Sequence, residues 1–360
     1  MVRRVVAVVL VVAFGAAGII AGHSGAAGAS TRDAGKVVSL TPREDGSYDL
    51  TYRSLGVAGH LVDETAVLWV PDKPRSGNVV AWAHATKGLA DQCAPSVAGV
   101  GDIPSREALL AAGDVVVAPD YEGLGVAGVH PYLVGTSEGR SVLDAIRAAK
   151  SVTGATGRSV VYGWSQGGQA ALFAARIAHA YAPDARLSGA AAIAPVMNMT
   201  SMVDGTSTLS KLPGVVAMVA AGYVEAYPEL KPSDLLGESL TQLDTARSDC
   251  DAAVHLDGTT VHKPSAEWRR RLRQNDPATA KIGVPVMLSH GRGDYILGVS
   301  DVAAAYRRLC KDGTTVTLDW YEDADHQSVV SASTFDVFFW LEDRLSGIQT
   351  SGCHNAEIPS

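Results

Sequence analysis

The sequence predicts an α/β fold in which a mostly parallel central sheet is flanked by helices. Short apolar runs alternate with helical patterns along most of the chain, which is typical of parallel strands joined by crossover helices. The runs are apolar on successive residues, as expected for strands that are buried on both faces. With 360 residues, of which 47% are hydrophobic and 19% charged, the chain can bury one large core.

The elements of this pattern follow one another in chain order. Two strands are expected first, at 48–55 and 64–73, as a pair at the sheet edge. Apolar runs within 78–88 and 114–125 then flank a helical pattern at 105–113, which forms one strand–helix–strand crossover. Further strands are predicted at 158–164, 187–196, 283–291 and 314–322, and further helices at 137–152, 166–181, 301–310 and 328–345.

One region interrupts the alternation. From about 197 to 281 the strand signal disappears, and 212–227 forms an apolar pattern rich in small residues. We expect a helical insertion above the sheet.

The beginning of the chain has the layout of a secretory signal peptide. Arg3 and Arg4 precede an apolar run that is followed by small residues. The run is short for a membrane span of roughly 20 residues, so a permanent anchor is the less favoured alternative. We expect a cleaved signal peptide at 1–29 and an exported mature chain over 30–360.

The charge of the mature chain argues against a nucleic-acid partner. Without the two leader arginines, 28 basic residues stand against 38 acidic ones, and such a surface repels a phosphate backbone. The four cysteines suit an exported protein with two disulfides. Their spacing leaves three pairings open, and no two lie at the short ligand spacings of a zinc site. No metal or cofactor is expected.

The segment Gly163-Trp164-Ser165-Gln166-Gly167 is the strongest chemical signal. An apolar strand leads into this G-x-S-x-G pattern and a helix leaves it, which is the setting of a nucleophile elbow. The glycines remove Cβ atoms where strand and helix approach closely. Ser165 is therefore predicted to be a nucleophile.

A serine hydroxyl needs a base, and the base needs an orienting acid. In this arrangement the acid and then the histidine follow the serine, each in a loop after a strand. Asp294 and His326 occupy such loops. Asp323 and Asp325 are alternative acids that lie nearer the histidine in sequence. Four other histidines, expected to be structural, are alternative bases: His60, His84, His130 and His290.

The oxyanion of an acyl-transfer reaction needs backbone N–H donors. The residue after the nucleophile, Gln166, is expected to supply one. The loop after the strand at 78–82 is expected to supply the other, from Thr86 or Lys87.

Three short patterns are not interpreted as sites. The glycines at 123, 125 and 128 match a dinucleotide fingerprint, but no strand leads directly into them and His130-Pro131 stands where a helix should begin. The Arg-Gly-Asp at 292–294 contains the predicted acid, and the glycosylation sequon at 198–200 carries no inference.

Several segments together resemble the secretory lipases of the fungal lipase A type, which also occur in actinobacteria and belong to the α/β-hydrolase superfamily. They are WAHATKGLADQCAPS, VVVAPDYEGLG, SEGRSVLDAIRA, GWSQGG, HGRGDYILGVS and EDADHQS, and the resemblance runs from about Tyr52 to Cys353.

The resemblance implies an α/β-hydrolase fold, a Ser165, Asp294 and His326 triad, and an oxyanion donor at Lys87. It also implies a helical lid at about 197–281, shorter than in fungal members, and the disulfides Cys93–Cys250 and Cys310–Cys353.

The sequence hypothesis is a secreted, cofactor-free serine hydrolase that acts on small-molecule or lipid esters, including triacylglycerols. A lid could make transient contact with a lipid interface; no oligomeric state is predicted. The alternatives are an acyltransferase with the same acyl-enzyme, and an inactive hydrolase-like binding module.

Overall fold

The computed structural model describes residues 31–73, 77–204, 212–256 and 261–358. The predicted signal peptide at 1–29 lies outside these residues, as do parts of the predicted insertion at 205–211 and 257–260. The described strands are β1 Val37–Pro42, β2 Tyr48–Leu55, β3 Leu61–Trp69, β4 Val79–Ala83, β5 Val115–Pro119, β6 Ser159–Trp164, β7 Leu187–Ile193, β8 Val286–Gly291, β9 Val316–Tyr321 and β10 Cys353–Ile358.

The described α-helices lie mainly between the strands. They are α1 Pro95–Ala98, α2 Arg106–Ala112, α3 Gly135–Thr153, α4 Gln166–Tyr181, α5 Pro213–Ala226, α6 Ser233–Leu236, α7 Gln242–Ser248, α8 Ala252–His255, α9 Ala266–Gln274, α10 Val299–Lys311, α11 Ser328–Ala332 and α12 Thr334–Ser346.

All ten described strands join one sheet in the order β1-β2-β3-β5-β4-β6-β7-β8-β9-β10. The pairs β1–β2, β2–β3 and β3–β5 are antiparallel, and every pair from β5–β4 to β9–β10 is parallel. The mostly parallel sheet predicted from the sequence is confirmed. Its parallel part brings the C-terminal ends of β4, β6, β8 and β9 to one edge, where the loops that carry the candidate site begin.

The two outermost strands, β1 and β10, were not predicted. Their residues are largely exposed, so they lack the apolar run that marks a buried strand. Pairing with β2 and β9 supplies the backbone hydrogen bonds, and the disulfide Cys310–Cys353 ties the start of β10 to α10.

The sheet is covered on both faces, and the residues of the central strands alternate between the two cores. On β4, Val79, Ala81 and Ala83 pack in one core with side chains of α3, α4 and α10. Val80 and Trp82 pack in the other core with side chains of α2, α11 and α12. This is the three-layer arrangement that the alternating sequence pattern predicts.

The described part of the chain between β7 and β8 forms helices α5 to α9 and no strand. α5 is apolar on all sides, and its residues 214–223 are buried in a separate core with side chains of α6, α7 and α9. A helix that is apolar all round is a buried helix, so α5 is the interior of this insertion. Among the described helices, none combines the length and the apolar character needed to cross a membrane.

Two close connections fasten the insertion to the sheet domain. A Cβ atom on Gly222 of α5 would overlap the backbone nitrogen of Tyr132, so only glycine allows this approach. The disulfide Cys93–Cys250 joins the segment after β4 to the turn between α7 and α8. Both disulfides have the pairing that the resemblance implied.

Glu64 on β3 is a fully buried carboxyl group. Burial and, to a smaller extent, the charge of Glu122 raise its pKa to about 8. The Tyr52 hydroxyl lies 3.0 Å from Glu64 Oε2 and 3.0 Å from the carbonyl oxygen of Ser141. Because a hydroxyl has one proton to donate, a protonated Glu64 can donate to Tyr52 while Tyr52 donates to Ser141.

Replacing Glu64 with glutamine should stabilise the protein at alkaline pH and change its stability little at pH 4. In the unfolded chain this carboxyl has a pKa near 4.5, so the folded state binds the extra proton between pH 4.5 and 8. The stability from protonation is complete below pH 4.5 and is lost as the pH rises through 8. At pH 9 the gain has an upper bound of about 5 kcal/mol, at about 1.4 kcal/mol per pKa unit.

Urea unfolding at pH 4 and pH 9 with the disulfides intact measures this difference. Glu107→Gln is the control, because the Glu107 side chain is 80% exposed and its removal should leave the pH dependence unchanged. The same pH dependence in Glu64→Gln and wild type would contradict the prediction.

Candidate active site

Ser165 stands at the turn between β6 and α4. Its backbone has φ 57° and ψ −115°, a strained conformation for a residue with a side chain. A Cβ atom on Gly167 would overlap the carbonyl oxygen of Ala83, and one on Gly163 would overlap the carbonyl oxygen of Gly167. The two glycines therefore let the first turn of α4 pack against the end of β4, with Ser165 at the sheet edge.

The structure brings the three predicted triad side chains together. His326 follows β9, and its Nε2 lies 3.0 Å from Ser165 Oγ. Its Nδ1 lies 2.8 Å from Asp294 Oδ2, and Asp294 stands in the loop after β8. Because Asp294 is an acceptor, the proton of a neutral His326 belongs on Nδ1, and Nε2 is left free to accept the hydroxyl proton.

The surroundings of Asp294 favour its ionised form. Burial opposes ionisation, but the hydrogen bond and charge of His326 and the amide of Leu297 hold the pKa of Asp294 below its usual value. Its Oδ1 accepts hydrogen bonds from the amides of Ile296 at 2.9 Å and Leu297 at 2.8 Å. These bonds fix the carboxylate plane and leave Oδ2 directed at the histidine.

The alternative acids have other surroundings. Asp325 accepts hydrogen bonds from the amides of Gln327 and Ser328 and from the Ser328 hydroxyl, so its carboxylate stabilises the start of α11. Asp323 is exposed. Neither is the carboxylate that contacts Nδ1 of His326.

Three of the alternative bases are buried around the site, and burial lowers their pKa values. The pKa of His84 falls to about 4, that of His130 to about 3 and that of His290 to about 4. His290 Nε2 lies 3.3 Å from the carbonyl oxygen of Leu297 and 3.6 Å from Asp294 Oδ2. His60 is exposed. Among the described residues, the histidine that hydrogen-bonds the Ser165 hydroxyl is His326 and none of these four.

The predicted oxyanion donors lie at the ends of two neighbouring strands. Gln166 is the first residue of α4 and is buried, and the first amides of a helix have no partner within the helix. Thr86 and Lys87 follow β4, where the Thr86 hydroxyl lies 2.8 Å from the hydroxyl of Tyr132. The Lys87 side chain is exposed.

The polar groups behind these residues were not predicted from the sequence. The Gln166 side chain contacts His130 and Glu138, and the Trp164 indole donates to the carbonyl oxygen of His326 at 2.9 Å. Glu138 lies in the helix predicted at 137–152, but the burial of its acidic side chain in the first turn of α3 is known only from the structure.

One cluster of three described side chains could bind a metal ion. Asp249, Asp251 and His255 place potential ligand atoms near one another in and beside α8, largely exposed. None of them belongs to the triad.

A model of the secretory lipase family matches residues 102–262. A relative named lipase A, from Arthroderma benhamiae, is 26% identical over 351 residues, covering 87% of this chain and 73% of the relative. A secreted triacylglycerol lipase of Malassezia globosa is 26% identical over 345 residues, covering 86% and 75%. A Mycobacterium tuberculosis relative of 26% identity, covering 86% and 76%, carries the name "Probable inactive lipase".

The fold is shared with a solved structure of lipase A from Candida antarctica in its closed state. The TM-score is 0.77 at 19% identity, covering 91% of this chain and 86% of that one. At this identity the likeness concerns the fold, which is the α/β-hydrolase fold that the sequence predicted.

Proposed function

Because this chain is a relative of the secretory lipases and is by that relationship an ester hydrolase, we propose that it cleaves carboxylic esters through an acyl-enzyme on Ser165. The observation that carries the proposal is the continuous line of contacts from Asp294 Oδ2 to His326 at 2.8 Å and from His326 to Ser165 Oγ at 3.0 Å. Covalent labelling of Ser165 by an alkyl phosphonate ester, located by mass spectrometry, tests it. An unlabelled Ser165 would contradict it.

The reaction has two halves. As the Ser165 oxygen bonds to the ester carbonyl carbon, its proton passes to Nε2 of His326. The bond between that carbon and the alcohol oxygen then breaks, and the alcohol takes the proton from His326. In the second half water gives its proton to His326 and attacks the acyl group, and Ser165 recovers its proton as the acid leaves. Asp294 orients the imidazole and stabilises its charged form.

The oxyanion of each tetrahedral intermediate needs fixed donors. We assign the backbone N–H of Gln166 and one backbone N–H from Thr86 or Lys87 to this role. The packing of Gly167 against Ala83 supports the assignment, because it places the start of α4 beside the end of β4.

The proposed substrates are lipid and other acyl esters, with triacylglycerols as a candidate class. The name of the Malassezia globosa relative and the apolar core of the insertion support this class. We propose that the insertion provides an acyl pocket and a lid that can touch a lipid interface. Because α5 is buried in the insertion, we do not assign an opening motion to this helix. Export with removal of a signal peptide at 1–29 is part of the proposal, supported by the secreted relative and the two disulfides.

The rate of hydrolysis should depend strongly on acyl length. Each methylene buried in an acyl pocket is worth about 0.8 kcal/mol, so kcat/KM should rise about fourfold per carbon from acetate until the pocket is full. A series of p-nitrophenyl esters gives this profile, and glycerol esters measured below and above their solubility limit show whether a lid responds to an interface. A flat profile together with no change at the solubility limit would contradict the pocket and the lid.

Two alternatives have direct tests. An acyl-enzyme can also transfer its acyl group to an alcohol or sugar, so product analysis with added acceptors separates transfer from hydrolysis. The second alternative is an inactive binding module, and the name of the Mycobacterium tuberculosis relative is consistent with it. Absence of both turnover and phosphonate labelling in the purified protein would favour that alternative.

A further inference from the structure

A buried polar network lies directly behind the nucleophile, and the proposed mechanism does not use it. The Gln166 side-chain nitrogen donates to Glu138 Oε1 at 2.8 Å and lies 2.9 Å from Nε2 of His130. The amide of Leu133 donates to the same carboxyl oxygen at 2.9 Å. Gln166, Glu138 and His130 are each at most 2% exposed. Both N–H bonds of the Gln166 side chain therefore have an acceptor.

The protonation states of His130 and Glu138 are consistent with donation from the Gln166 side chain to both of them. Nδ1 of His130 lies 2.9 Å from the carbonyl oxygen of Glu122, so Nδ1 carries the proton and Nε2 accepts. Burial lowers the pKa of His130 to about 3, and burial raises the pKa of Glu138 to about 8. Both groups are then neutral near pH 7, and a neutral carboxyl resembles a carboxamide in shape and charge. Glu138 Oε2 has no hydrogen-bond partner among the described residues.

The backbone that presents these groups is strained. Leu133 has φ 57°, which is an outlier for a bulky residue and persists only where the surrounding structure enforces it. The His130 ring is fixed by stacking on Tyr121, with ring centroids 5.7 Å apart and planes 11° from parallel.

The segment 130–138 also contacts the loop that is proposed to supply the second oxyanion donor. Tyr132 lies between His130 and Leu133, and its hydroxyl is 2.8 Å from the Thr86 hydroxyl in the loop after β4. One segment, 130–138, thus contacts Gln166 through His130 and Glu138, and through Tyr132 it contacts Thr86, one of the two candidates for the second donor.

We propose that Glu138 and His130 are positioning residues, which hold the first turn of α4 through the Gln166 side chain so that the Gln166 amide meets the oxyanion. This inference rests on the proposed function. Because the Leu133 amide, just before the start of α3, also donates to Glu138, the alternative is a purely structural role for Glu138.

Glu138→Leu should lower kcat by about 10- to 100-fold and change KM less than threefold, because misplacing an oxyanion donor weakens the transition state more than substrate binding. Glu138→Gln should restore kcat to within about threefold of wild type, since its amide oxygen can accept from Gln166 and Leu133. The affinity for an alkyl trifluoromethyl ketone, whose tetrahedral adduct needs the same donors, should fall in Glu138→Leu by the factor that kcat falls.

Glu64→Leu is the matched control. Glu64 is equally buried, and its pKa is also raised to about 8, but it contacts Tyr52 and not the site. Phosphonate titration counts the active sites in each sample, and each kcat is calculated per titrated site so that unfolded protein does not contribute. Unchanged kcat per active site in Glu64→Leu supports the inference, while equal losses in Glu64→Leu and Glu138→Leu would overturn it.

A second variant covers the case in which Glu138→Leu does not fold. Gln166→Met keeps the backbone N–H and nearly the side-chain length but removes both donors, and it should show the same fall in kcat with KM retained. Unchanged kcat in Gln166→Met, with normal phosphonate labelling in wild type, would overturn the positioning role alone. A wild-type protein that is not labelled at Ser165 would overturn the proposed function and this inference together.

Discussion

Replacing Ser165 with alanine should lower kcat for ester hydrolysis by about a million-fold. The variant loses the atom that forms the acyl-enzyme, and His326 Nε2 loses the hydroxyl that lies 3.0 Å away. The loss of one oxygen atom at a partly buried position should leave the fold unchanged. Residual turnover above the uncatalysed rate would come from the oxyanion donors acting on a water molecule.

The assay is initial rates on a soluble p-nitrophenyl ester, combined with the size of the pre-steady-state burst. Wild type should show a burst of one product per active site if deacylation is the slower half, and Ser165→Ala should show none. Ser300→Ala, at an exposed position of α10, is the matched control and should behave as wild type. Activity in Ser165→Ala within tenfold of wild type would refute the assignment.

Replacing Asp294 with asparagine should lower kcat by about ten-thousand-fold while the protein remains folded. The amides of Ile296 and Leu297 donate to Oδ1, so the asparagine side chain should keep its oxygen there. Its NH2 group would then occupy the position of Oδ2 and donate to Nδ1 of His326. The imidazole would have to carry its proton on Nε2, where it is unable to accept the proton of Ser165.

Asp325→Asn separates this prediction from the alternative acid. Asp325 contacts Gln327 and Ser328, so its replacement should reduce the stability of the start of α11 and change kcat by less than about threefold. Rates on the same ester, corrected for the number of phosphonate-titrated sites, compare the two variants. A large loss in Asp325→Asn with a small loss in Asp294→Asn would transfer the orienting role to Asp325.

Much of the fold could be predicted because its central elements have strong local signals. Strands β4 to β9 are buried on both faces, so they are rich in apolar residues on successive positions and stand out from the helical patterns around them. Strands β1 and β10 have exposed side chains and exist through pairing with their neighbours. Such edge strands leave little trace in the hydrophobic pattern.

The candidate site also has features that could be predicted from the sequence and features that could not. The turn at Ser165 could be predicted from the sequence, because close packing of strand and helix requires glycines on both sides of the serine. The loops that contain Asp294 and His326 were identified by their position after predicted strands. The contacts of Glu138 and His130 with Gln166 were not predicted, since they join residues 28 and 36 positions apart in the chain that come together only in the folded structure.

By itself, the sequence determined the α/β pattern, the turn that presents Ser165 and the two loops that supply a carboxylate and an imidazole. These are consequences of local sterics and of hydrophobic period, which act over a few residues. Only the tertiary structure decided that Asp294 faces His326 while Asp325 caps a helix, and that α5 lies inside the insertion. It also decided that Glu138 and His130 hold Gln166, because the direction and burial of a side chain depend on elements that are distant in sequence and adjacent in space.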